Sequence, residues 1–384
     1  MGCYVLKKIV YLDNSATTAP CKEAIQNINL ALCDTWGNPS SLYDMGFYAQ
    51  QLVDDARKSV AGLLKCREDE IYFTGSGTES NNMAILGAAH ARKKRGKRIV
   101  TTAIEHPSVL ETVKRLEDDD FEVIYLKPQA NGTVSIDDLK NTINKDTILV
   151  SIMLVNNETG AIQPVKEAAK IIKEVGAPAL LHCDGVQAFG KMQINLADFG
   201  VDLFTASGHK IHGPKGVGIL YIKKGVTIKP LITGGGQEKD MRSGTESVPL
   251  IYGLRGAIDS LGNINENLKK QKELYAYAKS ALLDTGFVKI NSPIDALPYI
   301  LNISVEGYRS ETLLHFLESQ GVYVSSGSAC AKGEGSYVLR EMGLCRNRVD
   351  SALRISFSNH NTTEDVDCLK SALIDATQKL RRSN

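Results

Sequence analysis

Short apolar runs alternate with helix-period stretches between about residues 70 and 225. Seven of these runs are almost continuously apolar, without the polar alternation of a half-exposed strand; they cover residues 70–74, 98–102, 122–126, 147–153, 179–183, 201–205 and 218–222. Strands of this kind, separated by helices, are typical of a mainly parallel sheet covered on both faces. The pattern therefore predicts an α/β fold with a mainly parallel seven-stranded sheet, whose ligands bind beyond the carboxyl ends of the strands.

The pattern changes after Gly253. A polar segment with helical spacing covers residues 263–283, and strand-like runs follow near residues 299–305, 322–325 and 353–357. The sequence Thr362-Thr363-Glu364-Asp365 resembles a capping box and predicts the start of a final helix. We therefore expect a large domain of residues 13–258 and a smaller α+β domain formed by residues 1–12 and 259–384.

Composition narrows the classes of function. The chain has 384 residues, 43% hydrophobic and 23% charged, and a formal net charge of +1. This balance gives no global field for nucleic acid or an anionic membrane, so a small-molecule substrate is expected. No stretch approaches the roughly 20 apolar residues of a membrane span, which favours a cytoplasmic protein. The eight cysteines include no C-x-x-C pair, so we expect no metal site and at most one or two chemical thiols.

Lys210 is the first candidate for chemistry. It lies between a predicted strand and a Gly-Pro turn, in the segment Ser207-Gly208-His209-Lys210. A lysine whose stem is packed while its amine faces a pocket can lose its proton and condense with an aldehyde, as in enzymes that hold pyridoxal phosphate. A surface lysine in a loop fits this segment equally well, so other groups must decide between the two interpretations.

Pyridoxal phosphate also needs a phosphate cradle, an acid at the ring nitrogen and a group stacked on the ring. The turn at residues 75–78 precedes a helix, which directs free N–H groups and the helix dipole at an anion. Asp184 ends an apolar strand, where a carboxylate is costly unless it meets a cation such as a protonated ring nitrogen. His106 follows another strand. Each has an ordinary alternative. Residues 75–78 could be a plain strand-to-helix turn, Asp184 could cap the next helix, and His106 could be a packed histidine.

Nine segments in a fixed order connect the chain to a known family. They cover residues 11–18, 37–41, 78–82, 105–106, 155–160, 182–184, 207–210, 242–245 and 325–330. Together they closely resemble cysteine desulfurases of the NifS/IscS type, which are class V aminotransferases with the pyridoxal phosphate fold type I. The likeness covers nearly the whole chain. It implies the cofactor pyridoxal 5'-phosphate and a homodimer with shared sites.

The resemblance also implies a role for each matched position. Lys210 would bond to the cofactor aldehyde, Asp184 would pair with the ring nitrogen, and His106 would stack on the ring and carry protons. Gln187 and Asn157 would hydrogen-bond near the ring oxygen. The phosphate ligands would be Thr78, Ser207 and His209, with Gly77 giving backbone approach and Thr245 reaching the phosphate of the neighbouring subunit. Arg354 would hold the substrate carboxylate, assisted by Asn38.

Cys330 distinguishes this interpretation from a general aminotransferase. Small or flexible residues surround it, Ser325-Ser326-Gly327-Ser328-Ala329 before and Ala331-Lys332-Gly333 after, which favours an exposed and movable thiol. Two features depart from the family. The turn reads Gly75-Ser76-Gly77-Thr78 where Ser-Gly-Ala-Thr is usual, and the segment from Cys330 to Arg340 is slightly shorter than in many relatives, which leaves the sulfur acceptor open.

The resemblance implies removal of sulfur from L-cysteine, giving L-alanine and a persulfide on Cys330. An acceptor protein would then take the sulfur: an iron-sulfur scaffold, a tRNA-thiolation enzyme or an enzyme of cofactor biosynthesis. A selenocysteine lyase would share every cofactor residue, and a related aminotransferase would not need Cys330. A non-catalytic scaffold for iron-sulfur assembly that kept an ancestral pocket is the alternative from another class.

Overall fold

A computed structural model of the chain describes residues 9–326 and 335–382. The strands in these ranges are β1 Val10–Tyr11, β2 Ile71–Thr74, β3 Arg98–Thr102, β4 Glu122–Leu126, β5 Thr147–Ser151, β6 Leu180–Asp184, β7 Leu203–Ser207, β8 Gly218–Ile222, β9 Val288–Ile290, β10 Ile300–Val305, β11 Val322–Tyr323 and β12 Ala352–Ser356. The helices are α1 Lys22–Cys33, α2 Asp44–Leu64, α3 Gly77–Arg92, α4 Pro107–Asp118, α5 Ile136–Thr142, α6 Val165–Val175, α7 Leu196–Phe199, α8 Val248–Asp259, α9 Ile264–Leu283, α10 Ser310–Ser319, α11 Tyr337–Glu341, α12 Arg346–Asp350 and α13 Thr363–Lys379.

The predicted seven-stranded sheet is present, with strand order β2-β8-β7-β6-β5-β3-β4. Every pair from β7 to β4 is parallel, whereas β8 runs antiparallel to both β7 and β2. Every residue of β5, β6, β7 and β8 is buried, which explains their almost continuous apolar sequences. The fold class predicted from the sequence, a mainly parallel sheet with helices, is therefore confirmed.

Four of the seven predicted runs have different ends in the structure, the first by one residue only, because β2 begins at Ile71. The run at 147–153 stops being a strand at Ser151, the run at 179–183 moves to Leu180–Asp184, and the run at 201–205 moves to Leu203–Ser207. The shift of β7 follows its pairing with β8, which aligns Leu203 with Ile222 and Ser207 with Gly218. Pairing between distant strands, which local apolar patterns do not encode, thus sets the ends of these elements.

A second sheet of three antiparallel strands has the order β12-β10-β9, and β1 pairs in parallel with β11. These strands pack with α9, α10 and α13 around a separate apolar core that includes Leu12, Leu301, Leu353 and Leu373. The final helix begins with the predicted capping box between Thr362 and Asp365. The division into domains at residues 12/13 and 258/259 stays a prediction.

The functional side chains lie where strands of the large sheet end. The chain leaves β2 into the turn that opens α3, leaves β3 towards His106 at the start of α4, and leaves β7 into the 3-10 turn Gly208–Lys210. Asp184 is the last residue of β6. Since carboxyl ends of neighbouring parallel strands meet at one edge of a sheet, these groups are brought together.

Two kinds of feature are absent from residues 9–326 and 335–382. No helix in these ranges is long and apolar enough to cross a membrane. No cluster of three or more histidine, cysteine, aspartate or glutamate side chains in the same ranges is arranged to hold a metal ion.

Candidate active site

One cavity of about 630 Å³ collects most of the predicted site residues. Among the residues that line it are Gly77, Thr78, His106, Asn157, Asp184, Gln187, Ser207, His209, Lys210 and Arg354. Asn38 and Thr245 are exposed and do not line the cavity. Cys330 lies outside the described residues. The structure thus brings together ten of the thirteen predicted positions, from both sheets.

Lys210 reaches the cavity from the 3-10 turn after β7. Its Nζ donates to the carbonyl oxygens of Ser15 at 2.6 Å and Ala16 at 2.8 Å. Burial, and next the positive charge of Arg354, lower the pKa of Lys210 to about 8. The neutral amine, which a nucleophile or base requires, is therefore more populated near physiological pH than in an ordinary lysine, although it is still the minor form.

Asp184 is buried at the end of β6. Its Oδ2 accepts a hydrogen bond from Asn81 Nδ2 at 2.8 Å, and its Oδ1 accepts one from the backbone N–H of Val186 at 3.0 Å. A turn and not a helix follows β6 directly, so the second bond stabilises this turn instead of capping a helix, and it uses one oxygen only. The carboxylate also lines the cavity, where it can meet a cation.

A hydrogen-bond chain connects Asp184 to His106. The amide nitrogen of Asn81 donates both to Asp184 and to Ser108 Oγ, each at 2.8 Å, and Ser108 Oγ lies 2.8 Å from His106 Nδ1. The backbone N–H of Ser108 also donates to Nδ1 at 3.1 Å. Because an N–H group only donates, Nδ1 is the acceptor and the ring proton is on Nε2. Burial lowers the pKa of His106, so a neutral ring with this tautomer faces the cavity.

The turn before α3 and the turn after β7 form another wall of the cavity. Ser76 caps α3 by accepting from Glu79 N at 3.1 Å, and Gly77 and Thr78 begin this 16-residue helix. A Cβ at position 77 would lie 3.0 Å from Val186 Cγ2, so glycine fits here without displacing Val186. His209 Nδ1 lies 3.2 Å from Thr17 Oγ1, and burial lowers the pKa of His209 to about 4. His209 is therefore a neutral hydrogen-bonding group at this wall.

Arg354 comes from β12 of the second sheet and is buried. Its Nη2 pairs with Asp13 Oδ1 at 2.8 Å, and its Nη1 donates to the carbonyl oxygen of Asn157 at 3.1 Å. Its Nε is buried and has no hydrogen-bond partner in the described residues. The guanidinium is thus held in place while keeping donor capacity for a carboxylate.

Comparison with known proteins identifies the family of this chain. The model of the aminotransferase class-V family matches residues 10–369. The chain belongs to this family. The cysteine desulfurase IscS of Methanosarcina thermophila is 43% identical over 97% of this chain and 93% of the relative.

Two solved structures have the same fold. A NifS-like protein matches with a TM-score of 0.92 and 38% identity, over 97% of this chain and 100% of that chain. SspA in complex with cysteine matches with a TM-score of 0.81 and 31% identity, over 92% of this chain and 99% of that chain. The resemblance to cysteine desulfurases of the NifS/IscS type and the fold type that it implies are confirmed, and membership in this family implies pyridoxal phosphate.

Sequence reasoning assigned no role to several residues of the site. Asn81 and Asp13 lie inside matched segments, but only the structure shows that they hold Asp184 and Arg354. Ser108, which links Asn81 to His106, and Tyr337, which lines the cavity, were not singled out at all. The one sequence signal was the position of Asn81, a polar residue just before the polar-to-apolar change in α3, where Met83 to Ala89 are buried.

Proposed function

We propose that this protein is a cysteine desulfurase that removes sulfur from L-cysteine, releases L-alanine and holds the sulfur on Cys330. The observation that carries the proposal is the content of one cavity. An amine with its pKa lowered to about 8, a buried carboxylate and a buried guanidinium all line it: Lys210, Asp184 and Arg354. These are the groups that an amino-acid substrate and an aldehyde cofactor require.

The residues present fit pyridoxal phosphate. Ser15 Oγ and Asn157 Oδ1 belong to residues that line the cavity, and both atoms are buried without a hydrogen-bond partner in the described part of the chain. Buried polar atoms of this kind are rare unless a ligand or water satisfies them. Lys210 would hold the aldehyde, Asp184 the ring nitrogen and His106 the ring face. Gly77, Thr78, Ser207 and His209 would hold the phosphate, and Gln187 and Asn157 would lie near the ring oxygen.

When bound, the cofactor supplies a sink for the electrons of the broken Cα–H bond. The chain's own residues supply the rest. Arg354 binds the substrate carboxylate, with Asn38 as an assisting group, and the neutral amine of Lys210 takes the Cα proton. The proton on His106 Nε2 is available to the substrate. Cys330, as thiolate, bonds to the substrate sulfur while the Cβ–S bond breaks and leaves its electron pair with Cβ. Cβ then takes a proton, and the three-carbon product leaves as alanine.

Replacing single residues tests this function. Cys330→Ser should still bind L-cysteine and change the absorption of the bound cofactor, but it should release no sulfide in the presence of a thiol reductant. Lys210→Ala should abolish turnover. Cys345→Ser is the matched control, because Cys345 is exposed and does not line the cavity. Undiminished sulfide release from Cys330→Ser would overturn the persulfide role.

The alternative activities give different products. A selenocysteine lyase would release selenide from selenocysteine far faster than sulfide from cysteine. An aminotransferase would convert a keto acid to an amino acid and would not need Cys330. A non-catalytic scaffold would show no cofactor absorbance. Selenide release, sulfide release, conversion of a keto acid and cofactor absorbance, all measured on one preparation, decide between these functions.

We also propose that two copies form the active enzyme. Large apolar side chains are exposed together between α1 and the first turns of α2: Trp36 is 67% exposed, Leu42 105% and Phe47 59%. A monomer has no use for such a patch, which marks an interaction site. Thr245 is also exposed, as expected of a residue that reaches the cofactor phosphate of a second copy.

Leu42→Asp should convert a dimer to a monomer in sedimentation and weaken cofactor retention at the same time. Ile294→Asp is the control, because Ile294 is 93% exposed but lies far along the chain from this patch. A wild-type protein that sediments as a monomer at micromolar concentration would contradict the dimer.

The sulfur acceptor and the cytoplasmic location stay predictions. An acceptor protein, either an iron-sulfur scaffold or a tRNA-thiolation enzyme, would take the sulfur from Cys330. The test is to load the purified protein with labelled cysteine, incubate it with an extract of its own cells and identify the protein that becomes labelled. Label that leaves only as free sulfide would contradict a dedicated acceptor.

A further inference from the structure

Lys191 is a buried cation that the proposed chemistry does not use. It is 6% exposed, and its Nζ donates to Gln187 Oε1 at 3.1 Å and lies 5.9 Å from the ring centre of Tyr299. Within residues 9–326 and 335–382, no carboxylate lies within ion-pair distance of it. A buried ammonium without a counter-ion is unfavourable, so its presence calls for a function.

The backbone conformation at Gly190 brings Lys191 close to Lys210. Gly190 has a φ of 71°, and a Cβ there would lie 2.8 Å from Ile211 Cγ2. Glycine therefore lets the chain turn at this point and direct Lys191 inwards. Both lysines line a second, small cavity of about 20 Å³.

The chemistry of these groups determines the orientation of the Gln187 amide. An ammonium only donates, so the Gln187 atom that faces Lys191 is the carbonyl oxygen. The amide nitrogen then faces the opposite way and donates to the carbonyl oxygen of Ser15 at 3.0 Å, the same oxygen that accepts from Lys210 at 2.6 Å. A continuous chain of contacts thus runs from Lys191 through Gln187 and Ser15 to Lys210.

We propose that Lys191 is a positioning residue, which holds Gln187 so that its amide nitrogen is presented as a donor beside Lys210 and the ring oxygen of bound pyridoxal phosphate. The inference rests on the proposed function, because it assumes that Lys210 bonds to this cofactor. Gln187 without Lys191 would have a buried oxygen with no partner and would lose one of the two contacts that fix its amide.

The consequence is electrostatic. A donor at the ring oxygen favours the anionic oxygen and disfavours a proton on the nitrogen of Lys210. Arg354 acts in the same direction, whereas Asp13 and Asp184 oppose it. His209 and His212 are the other titratable groups that Lys191 affects. Burial and the charges of Lys210 and Arg354 lower the pKa of Lys191 to about 7, so its charge is retained in mildly acidic solution.

The test is a double-mutant cycle on protein loaded with pyridoxal phosphate and without substrate. The readout is the pH midpoint at which the absorption of the bound cofactor changes. Lys191→Met should raise this midpoint by about one pH unit, and Gln187→Leu should raise it as well. Because Lys191 acts through Gln187, adding Lys191→Met to Gln187→Leu should produce little further shift. Lys215→Met removes an exposed lysine that also acts on His209 and should leave the midpoint unchanged.

Two results would overturn the inference. One is a Lys191→Met midpoint within 0.2 units of the wild type, and the other is a shift that persists undiminished in the Gln187→Leu background. Lys191→Leu replaces Lys191→Met in the cycle if the latter does not fold. Failure of the wild type to take up pyridoxal phosphate would overturn the proposed function and this inference together. An unmoved midpoint in a protein that titrates normally would overturn the inference alone.

Discussion

The side-chain amide of Asn81 donates a hydrogen bond to the carboxylate of Asp184 over 2.8 Å. The second hydrogen of the same amide goes to Ser108, which in turn contacts His106. Asn81 therefore helps to orient both Asp184, which is predicted to contact the ring nitrogen, and His106, which is predicted to stack on the ring.

We expect Asn81→Ala to weaken the binding of pyridoxal phosphate. A hydrogen bond to a charged group contributes about 1.5–3 kcal/mol, which corresponds to roughly a 10-fold to 100-fold increase in the dissociation constant. Fluorescence titration of the apoprotein measures this constant. Asn82→Ala is the matched control, because Asn82 donates to the Thr78 carbonyl of its own helix at 2.9 Å and does not line the cavity. An Asn81→Ala protein that binds the cofactor within twofold of the wild type would contradict this role.

The sequence was sufficient for the parts of the fold that depend on local pattern. Strands buried on both faces must be apolar throughout, so β5 to β8 were visible as runs, and the ends of these runs located Asp184 and Lys210 at one edge of the sheet. Strand order was not accessible in this way. The position of β8 between β2 and β7, antiparallel to both, depends on pairing over long distances in the chain.

The contacts that support the site were also inaccessible to sequence pattern. Asp13 and Arg354 are 341 positions apart and meet only because β12 and the segment after β1 come together. Lys191 has no sequence signal of its position, because a lysine after a glycine is typical of an exposed turn. The resemblance to a family predicts which residues would contact the cofactor and the substrate, but not the residues that hold those groups in place. Cys330 lies outside the described residues, so its role stays a prediction.

Lys210 should make the attachment of pyridoxal phosphate dependent on pH. Since the pKa of Lys210 is lowered to about 8, its amine is mostly protonated and not nucleophilic at pH 7 and mostly neutral at pH 9. The rate constant for covalent attachment to the apoprotein should therefore rise about tenfold between these values, with a midpoint near pH 8. Stopped-flow absorbance measures it. Free Nα-acetyl-lysine, with an ordinary pKa of about 10.4, is the reference reaction. A midpoint near 10 for the protein would show that the amine is not activated.

Arg354→Lys should raise the KM for L-cysteine with a smaller change in kcat. The substitution keeps a positive charge opposite Asp13 but removes the planar fork that suits a carboxylate. We expect an increase in KM of roughly 10-fold or more, for a loss of about 1.5 kcal/mol. Initial rates of sulfide release measure both constants. Arg348→Lys makes the same change at an arginine that contacts Ile290 and Asn291 and does not line the cavity. An unchanged KM would exclude Arg354 as the carboxylate ligand.

Glu105 should make the stability of the fold fall as pH rises. Burial raises the pKa of Glu105 to about 8, although the hydrogen bonds from Met153 N and Thr102 Oγ1 act to lower it. Between the ordinary value of 4.5 and about 8, the folded protein keeps a proton that the unfolded chain has lost. Each pH unit in this window therefore removes about 1.4 kcal/mol of stability.

Glu105→Gln is neutral at every pH and should escape this loss. The free energy of unfolding of Glu105→Gln, relative to the wild type, should therefore increase by about 2–3 kcal/mol between pH 5 and pH 7, as measured by urea unfolding of both proteins with the same cofactor loading. Glu111→Gln removes an exposed carboxylate from α4 and should show no such change. A constant difference between Glu105→Gln and the wild type would mean that the buried carboxyl is ionised in the folded protein. Asp184 would then have a second negative charge as its neighbour, because the charge of Asp184 is one of the factors that raise the pKa of Glu105.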